Sequence, residues 1–252
     1  MLAIIGGTGF AQLEGLDVKK RLIVRTPYGD PSQPLIIGEI AGKEVIFLAR
    51  HGGGHNIPPH AVNYRANIFA LHMHGVTEIA AIATVGGIHP RLTPGVIVIP
   101  HQIIDYTYGR EHTYHDGIDK PVRHIDFTRP YCDNMRSKWI TAASLAEEPI
   151  VGDGVYAAMQ GPRFETAAEI QRLEHDGATM VGMTGMPEAV LARELDISYA
   201  AACPVANVAA GKGESARGIH YEDLMANLNT TMARVRNIIV QLVALPDARS
   251  SC

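Results

Sequence analysis

Eight apolar runs of strand length punctuate this chain, and most of the gaps between them are long enough for a helix. Met1–Ile5, Leu35–Ile40, Val45–Ala49, Glu78–Thr84 and Val96–Ile99 are rich in β-branched residues and bounded by Gly, Pro or charge. Gly154–Met159, Thr179–Met183 and Ile197–Asn207 have the same character. Several lack a two-residue alternation, as expected of strands covered on both faces. Between them, Asn63–His74, Glu165–His175 and Pro187–Leu195 read as helices. The clearest helix runs from Tyr221 to Val243, where Leu224, Leu228, Met232, Val235, Ile239 and Leu242 recur at three or four residues before Pro246 stops the pattern. Strands alternating with helices predict an α/β sandwich with a mixed, largely buried central sheet flanked by helices. With no repeat, low-complexity tract or linker, residues 1–252 read as a single domain. The irregular stretches Gly52–Pro59, Tyr106–Val122 and Ala209–His220 each follow a strand, where α/β sheets place their ligands.

The balance of residues narrows the class of partner. A net charge of -4 leaves no basic footprint for nucleic acid, and no run approaches the length of a membrane span. Cys132, Cys203 and Cys252 are odd in number and widely spaced, which reads as reduced thiols in a cytoplasm. The opening MLAIIGGTGF lacks the basic start and the length of a signal peptide.

Four segments could carry chemistry. Gly6-Gly7-Thr8-Gly9 ends the first strand and reads either as a tight strand exit or as an anion site with Thr8 as donor. A dinucleotide fingerprint fails there, because its third glycine would fall on Gln12 and Arg25-Thr26 stand where an acid belongs. Arg50-His51 followed by three glycines could hold a phosphate dianion, or be a surface pair. The same RHG triplet suits a histidine phosphatase, but it lies too far into the chain for that fold. Gln160–Thr166 brings Phe164 beside Glu165, and Asn207 ends a long apolar strand in a single amide. Glu111–Asp116 contains HxxHD, which admits a metal site or a loop and subunit contact.

Taken in order, IIGGTGF, LARHGGGH, ATVGGIHPRLTPG, GPRFETAAE, VGMTGMPEAVLARE and the Asn after the 198–206 strand resemble the purine nucleoside phosphorylase and methylthioadenosine phosphorylase family over essentially the whole chain. Within it the sequence is most similar to the bacterial group acting on methylthioinosine. The resemblance implies a nucleoside phosphorylase fold with a partly barrel-like sheet, a homotrimer or a hexamer, and no cofactor beyond inorganic phosphate as a substrate. It implies phosphate binding at Thr8, Arg50, His51, Ala83, Thr84 and Thr184, with Ala83 contributing only its backbone N–H. It also implies that Met183 lies on the ribose, Phe164 on the purine, and His124 in the neighbouring subunit's site.

Base choice is more specific. Where the family's adenine enzymes carry two Asp residues, this chain reads Asn207-Val208-Ala209; where they carry a Ser after the Phe, it has Glu165. An amide can donate to O6 and receive the proton developing at N7, and a carboxylate accepts from N1–H. Asn207 and Glu165 are therefore the expected catalytic pair, acting on a 6-oxopurine. At the 5′ end, His220 and Tyr221 compete for one position, with Leu224 and Met225 a turn later favouring a thioether. The expected reaction is phosphorolysis of S-methyl-5′-thioinosine, with inosine or guanosine as the alternative and methylthioadenosine behind both.

Overall fold

A computed structural model describes residues 1–10, 13–118 and 120–247; Gln12 and Cys252 lie outside them. Eleven strands form one sheet around which five α-helices pack. Its centre is β1 (Leu2–Gly6), every residue of which is buried, paired in parallel with β4 (Lys43–Ala49) and β5 (Glu78–Ile82). β3 (Leu35–Ile40) and β2 (Asp17–Leu22) extend that side as an antiparallel edge. β2 has no counterpart among the predicted strands. Its sequence, DVKKRL, is exposed almost throughout, so no buried face writes an apolar pattern; charge on an edge strand instead discourages pairing with another chain.

The long β11 (Ser198–Val208) joins the two parts of the sheet. Its first half pairs in parallel with β5, and its second half pairs in parallel with the three-residue β6 (Val85–Gly87). From there the order runs through β10 (Met180–Gly182) and β9 (Val155–Ala158) to β8 (Gln102–Asp105). β7 (Ile97–Val98), the segment just before β8, pairs back onto β11, so this half curls toward closure. The partly barrel-like sheet expected from sequence is this half.

Four predicted helices form, as α1 (Tyr64–Met73), α3 (Ala167–His175), α4 (Gly185–Glu194) and α5 (Tyr221–Ala244). α3 starts later than predicted: Thr166 caps it through a reciprocal box with Glu169, which leaves Glu165 in the preceding loop. α2 (Asp133–Leu145) was not predicted. It buries Met135, Trp139, Ala142 and Ala143 at helical spacing, a stripe of which half is alanine. α5 packs on α2 and β11, and α4 on α1 and β11.

The expectation of three reduced thiols is corrected. Cys203 is free and buried, but Cys132 is disulfide-bonded; separation along the chain did not keep it from a partner in space. No helix among the described residues is long and apolar enough to cross a membrane.

Candidate active site

Strand ends from both halves of the sheet open into a cavity of about 350 Å³. Its walls include Thr8 after β1, Arg50 and His51 after β4, Thr84 after β5, Met183 and Thr184 after β10, and Asn207 in β11. Phe164 and Glu165 come from the loop before α3, Ala209 from the exit of β11, and Tyr221 and Leu224 from the first turn of α5. Most of the residues singled out in the sequence thus converge from seven separate segments. Ala83, His220, Met225 and His124 do not line the cavity.

The glycine turn after β1 is a tight strand exit. A Cβ on Gly6 would stand 2.1 Å from the Phe10 carbonyl, and one on Gly7 would stand 2.7 Å from that of Ile82. Only glycine passes there. The same tight exit delivers Thr8 to the cavity, where its carbonyl accepts from the Thr84 hydroxyl at 3.2 Å. Thr184 also lines the wall and is largely buried; its N–H donates to the Tyr156 hydroxyl at 3.2 Å.

Arg50 is fully buried, and three of its N–H groups are spent on protein. Nε and Nη2 donate to the two carboxylate oxygens of Glu188, each at 2.7 Å, and Nη1 donates to the Ile82 carbonyl at 3.0 Å. Tyr199 donates to Glu188 at 2.8 Å. Three of five N–H groups are committed, so one hydrogen on each terminal nitrogen remains for a ligand. The alternative of a surface pair is corrected, since Arg50 and His51 are both buried. Ala83 is corrected outright: its N–H already donates to the Ala202 carbonyl at 3.1 Å inside the sheet, leaving nothing for phosphate.

His51 shares a 2.8 Å hydrogen bond between Nδ1 and the Ile57 carbonyl and sits against His55, ring centroids 4.6 Å apart. Burial, joined by the charge of Arg50, pushes its pKa down to about 4. The imidazole is therefore neutral at pH 7, with Nδ1 as donor to Ile57 and Nε2 as a free acceptor. His55 through Pro59 complete this wall. Sequence reasoning placed that stretch in a loop without assigning it a role, because its apolar members carry no periodic signal.

At the other end, β11 carries a bulge: Val205 faces Val85 and Asn207 faces Gly86, with Ala206 inserted between. Such an extra residue re-aims the side chains that follow it. The Asn207 amide donates one N–H to the Val208 carbonyl at 2.7 Å, leaving its carbonyl and one N–H for a ligand. Burial raises the pKa of Glu165 above the ordinary carboxylate range. The neighbouring Arg163 gives it little relief, being held in a two-pronged pair with Glu169 at 2.8 Å. Gly161 has a φ of +60°, and a Cβ there would lie 2.5 Å from the Met183 sulfur, so this loop is pressed against the β10 exit.

The register at α5 favours Tyr221, which lines the cavity with Leu224, while His220 is the exposed residue preceding the helix. Met225 points away and packs on the core. His124 is exposed on an irregular segment, outside its own subunit's cavity. The HxxHD run acts as an anchor. Glu111 and Asp116 pair with Arg65, and Glu194 accepts from Thr113 and the Tyr114 N–H. Among the described residues no three His, Cys, Asp or Glu side chains converge as a metal site would require.

The cavity thus brings together hydroxyls, a buried guanidinium, a neutral imidazole, an amide and a carboxylate. Proteins similar to this chain bear on what such a cavity serves. A Schistosoma mansoni methylthioadenosine phosphorylase in complex with adenine superposes with a TM-score of 0.91 at 32% identity, over 96% of this chain and 90% of that one. A protein named "Probable S-methyl-5'-thioinosine phosphorylase" from Pseudomonas syringae is 51% identical, over 92% of this chain and 97% of its own length. The 6-oxopurine nucleoside phosphorylase of Pyrococcus furiosus is 41% identical, over 100% and 95%. The family model described as "Phosphorylase superfamily" matches residues 1–244, and with relatives this similar along their whole length, the chain belongs to that superfamily.

Proposed function

We propose that this protein is a purine nucleoside phosphorylase that cleaves S-methyl-5′-thioinosine to hypoxanthine and 5-methylthioribose 1-phosphate. The observation that carries the reading is that Asn207 and Glu165 line the same cavity as Thr8, Arg50 and Thr184. Phosphate, as the monohydrogen dianion, accepts from Thr8, Thr84, Thr184 and the two free N–H groups of Arg50, donates its own hydroxyl to Nε2 of His51, and attacks C1′ through a free oxygen. The C1′–N9 bond breaks, its electrons pass into the purine, and a proton is taken up at N7. The ribosyl group is cation-like on the way, and the phosphate dianion beneath it stabilises that charge. Asn207 donates to O6 and accepts from N7–H, while ionised Glu165 accepts from N1–H. A site built for this hydrogen-bond pattern rejects the adenine pattern, in which donor and acceptor are exchanged.

For the 5′ group, Leu224 and the ring of Tyr221 suit a methylthio substituent, and the name of the 51%-identical relative agrees. Inosine and guanosine form the second reading, favoured by the 6-oxopurine relative. The enzyme is taken to act in the cytoplasm as a homotrimer, or a hexamer built of trimers, with phosphate as co-substrate and no further cofactor.

The test is kcat/KM under saturating phosphate for methylthioinosine, inosine and methylthioadenosine. The expected order is methylthioinosine first and methylthioadenosine last. A preference for inosine would move the assignment to the second reading, and a preference for methylthioadenosine would overturn the base argument. Asn207→Asp is expected to raise the methylthioadenosine-to-methylthioinosine ratio by about 10-fold or more, the scale of one mispaired hydrogen bond.

A further inference from the structure

We infer that Arg110 is a positioning residue that locks the purine-side loop to the turn carrying Met183 and Thr184. Arg110 sits in the irregular segment after β8, is 5% exposed, and does not line the cavity. Its guanidinium is nevertheless saturated by groups that flank the cavity. Nη2 donates to the carbonyls of Met159 at 3.2 Å and Gln160 at 2.8 Å. Nη1 donates to those of Met183 at 2.9 Å and Met186 at 2.6 Å. Nε donates to the Gln160 side-chain carbonyl at 3.2 Å. Nη1 also donates to the Tyr64 hydroxyl at 3.3 Å, so five N–H groups meet six acceptors, four of them main-chain carbonyls on two segments more than twenty residues apart in sequence. Tyr64 stacks beneath the charge, 5.5 Å from its ring centroid.

Those two segments carry different halves of the proposed site. Residues 159 and 160 lead directly into the loop of Phe164 and Glu165, and 183 to 186 bracket Thr184. The segments also touch at Gly161, where the Met183 sulfur leaves no room for a Cβ. A neutral partner set is notable for a buried cation: no carboxylate among the described residues pairs with Arg110, so carbonyl dipoles and the ring and hydroxyl of Tyr64 hold its charge. Planar geometry and five fixed donors make arginine the one side chain able to do this. Lysine, with three donors on one nitrogen, cannot fill five places. The segment bearing Arg110 is itself pinned, through Glu194 to α4 and through the Tyr114 hydroxyl to the Arg65 carbonyl of α1. The distance between purine and phosphate subsites is thereby set from outside the cavity.

The functional part of this inference rests on the phosphorolysis reading above; the positional part does not, and the experiment separates them. Hydrogen exchange is measured on ligand-free wild type, Arg110→Lys and Arg110→Ala, alongside steady-state kinetics. In Arg110→Lys, exchange in both 159–166 and 183–187 is expected to rise by about 10-fold while β1, β4 and β5 keep wild-type protection. kcat/KM for the nucleoside is expected to fall by about 100-fold, as a small misplacement of aligned reactants does. Arg110→Ala should exaggerate both effects; if it does not fold, Arg110→Lys carries the test. Unchanged exchange in either segment overturns the inference, as does an equal rise through the sheet core, which would make Arg110 a general stabiliser. Should wild type show no phosphate-dependent cleavage, the functional reading falls while the exchange result still decides the positioning role.

Discussion

His51 is the residue at which charge, burial and geometry meet most directly. Its depressed pKa has a consequence for stability that follows from proton counting. In an unfolded chain an imidazole binds its proton below about pH 6.5, whereas here protonation waits until about 4. Between those values the unfolded state holds more protons, so stability is complete above pH 6.5 and is lost as pH falls toward 4. The contribution is at most about 3 kcal/mol by linkage, and His55, lowered by burial, adds to it with the same sign. Urea midpoints measured from pH 8 to 4.5 should fall steeply for wild type and less so for His51→Gln; parallel curves would remove His51 from the acid response. Glu165 is the opposite case: burial raises its pKa, so the ionised form needed to accept from N1–H disappears as pH falls, while still above the ordinary carboxylate range. At this scale much of the site was legible. Thr8, Thr84, Thr184, Asn207, Phe164 and Glu165 are polar or aromatic residues at apolar strand ends or in glycine-marked loops, and such residues stand out. Glu188 and Arg110 did not, because the main partner of Glu188, Arg50, is distant in sequence, and the partners of Arg110 are distant and mostly backbone carbonyls.

Among elements, the Arg50–Glu188–Tyr199 network ties β4, α4 and β11 together behind the cavity. The Arg50–Glu188 pair is wholly removed from solvent on both sides. Truncating one partner leaves a buried charge without compensation, which costs about 3–5 kcal/mol. Glu188→Ala should therefore lower the unfolding free energy by that amount and loosen the phosphate end, read as a raised KM for phosphate in whatever protein remains folded. A loss below about 1 kcal/mol would mean that Arg50 finds another partner. The elements that sequence reading found and missed divide along the same physical line. β1, β3 and β4 are buried on both faces and announce themselves as apolar runs. β2 is an exposed charged edge, β6 is three residues long, and α2 buries alanines, which weigh little in an apolar pattern.

For the molecule as a whole, the exposed face around His124 matters most. Tyr108 is 71% exposed, Val122 66% and Ile118 87%, all on the irregular stretch that leads to His124. Exposed apolar side chains close together in sequence suit a contact face, and the resemblance described above implies a neighbouring subunit at His124. Sedimentation of the wild-type protein is expected to give a trimer or a multiple of it. His124→Ala is expected to keep that mass while raising the nucleoside KM; a monomer of full activity would refute the assembly. Meanwhile β11, shared by both parts of the sheet, has a temporal consequence. It begins only at Ser198, and its partners β5, β6 and β7 are made long before it. A ribosome therefore releases a half-sheet whose open side waits for more than a hundred residues of further synthesis before its neighbour arrives. Pairing across that separation is slow to nucleate and leaves apolar surface uncovered meanwhile. Vulnerability to aggregation should thus peak during synthesis, just before residue 198 emerges, rather than in the finished enzyme.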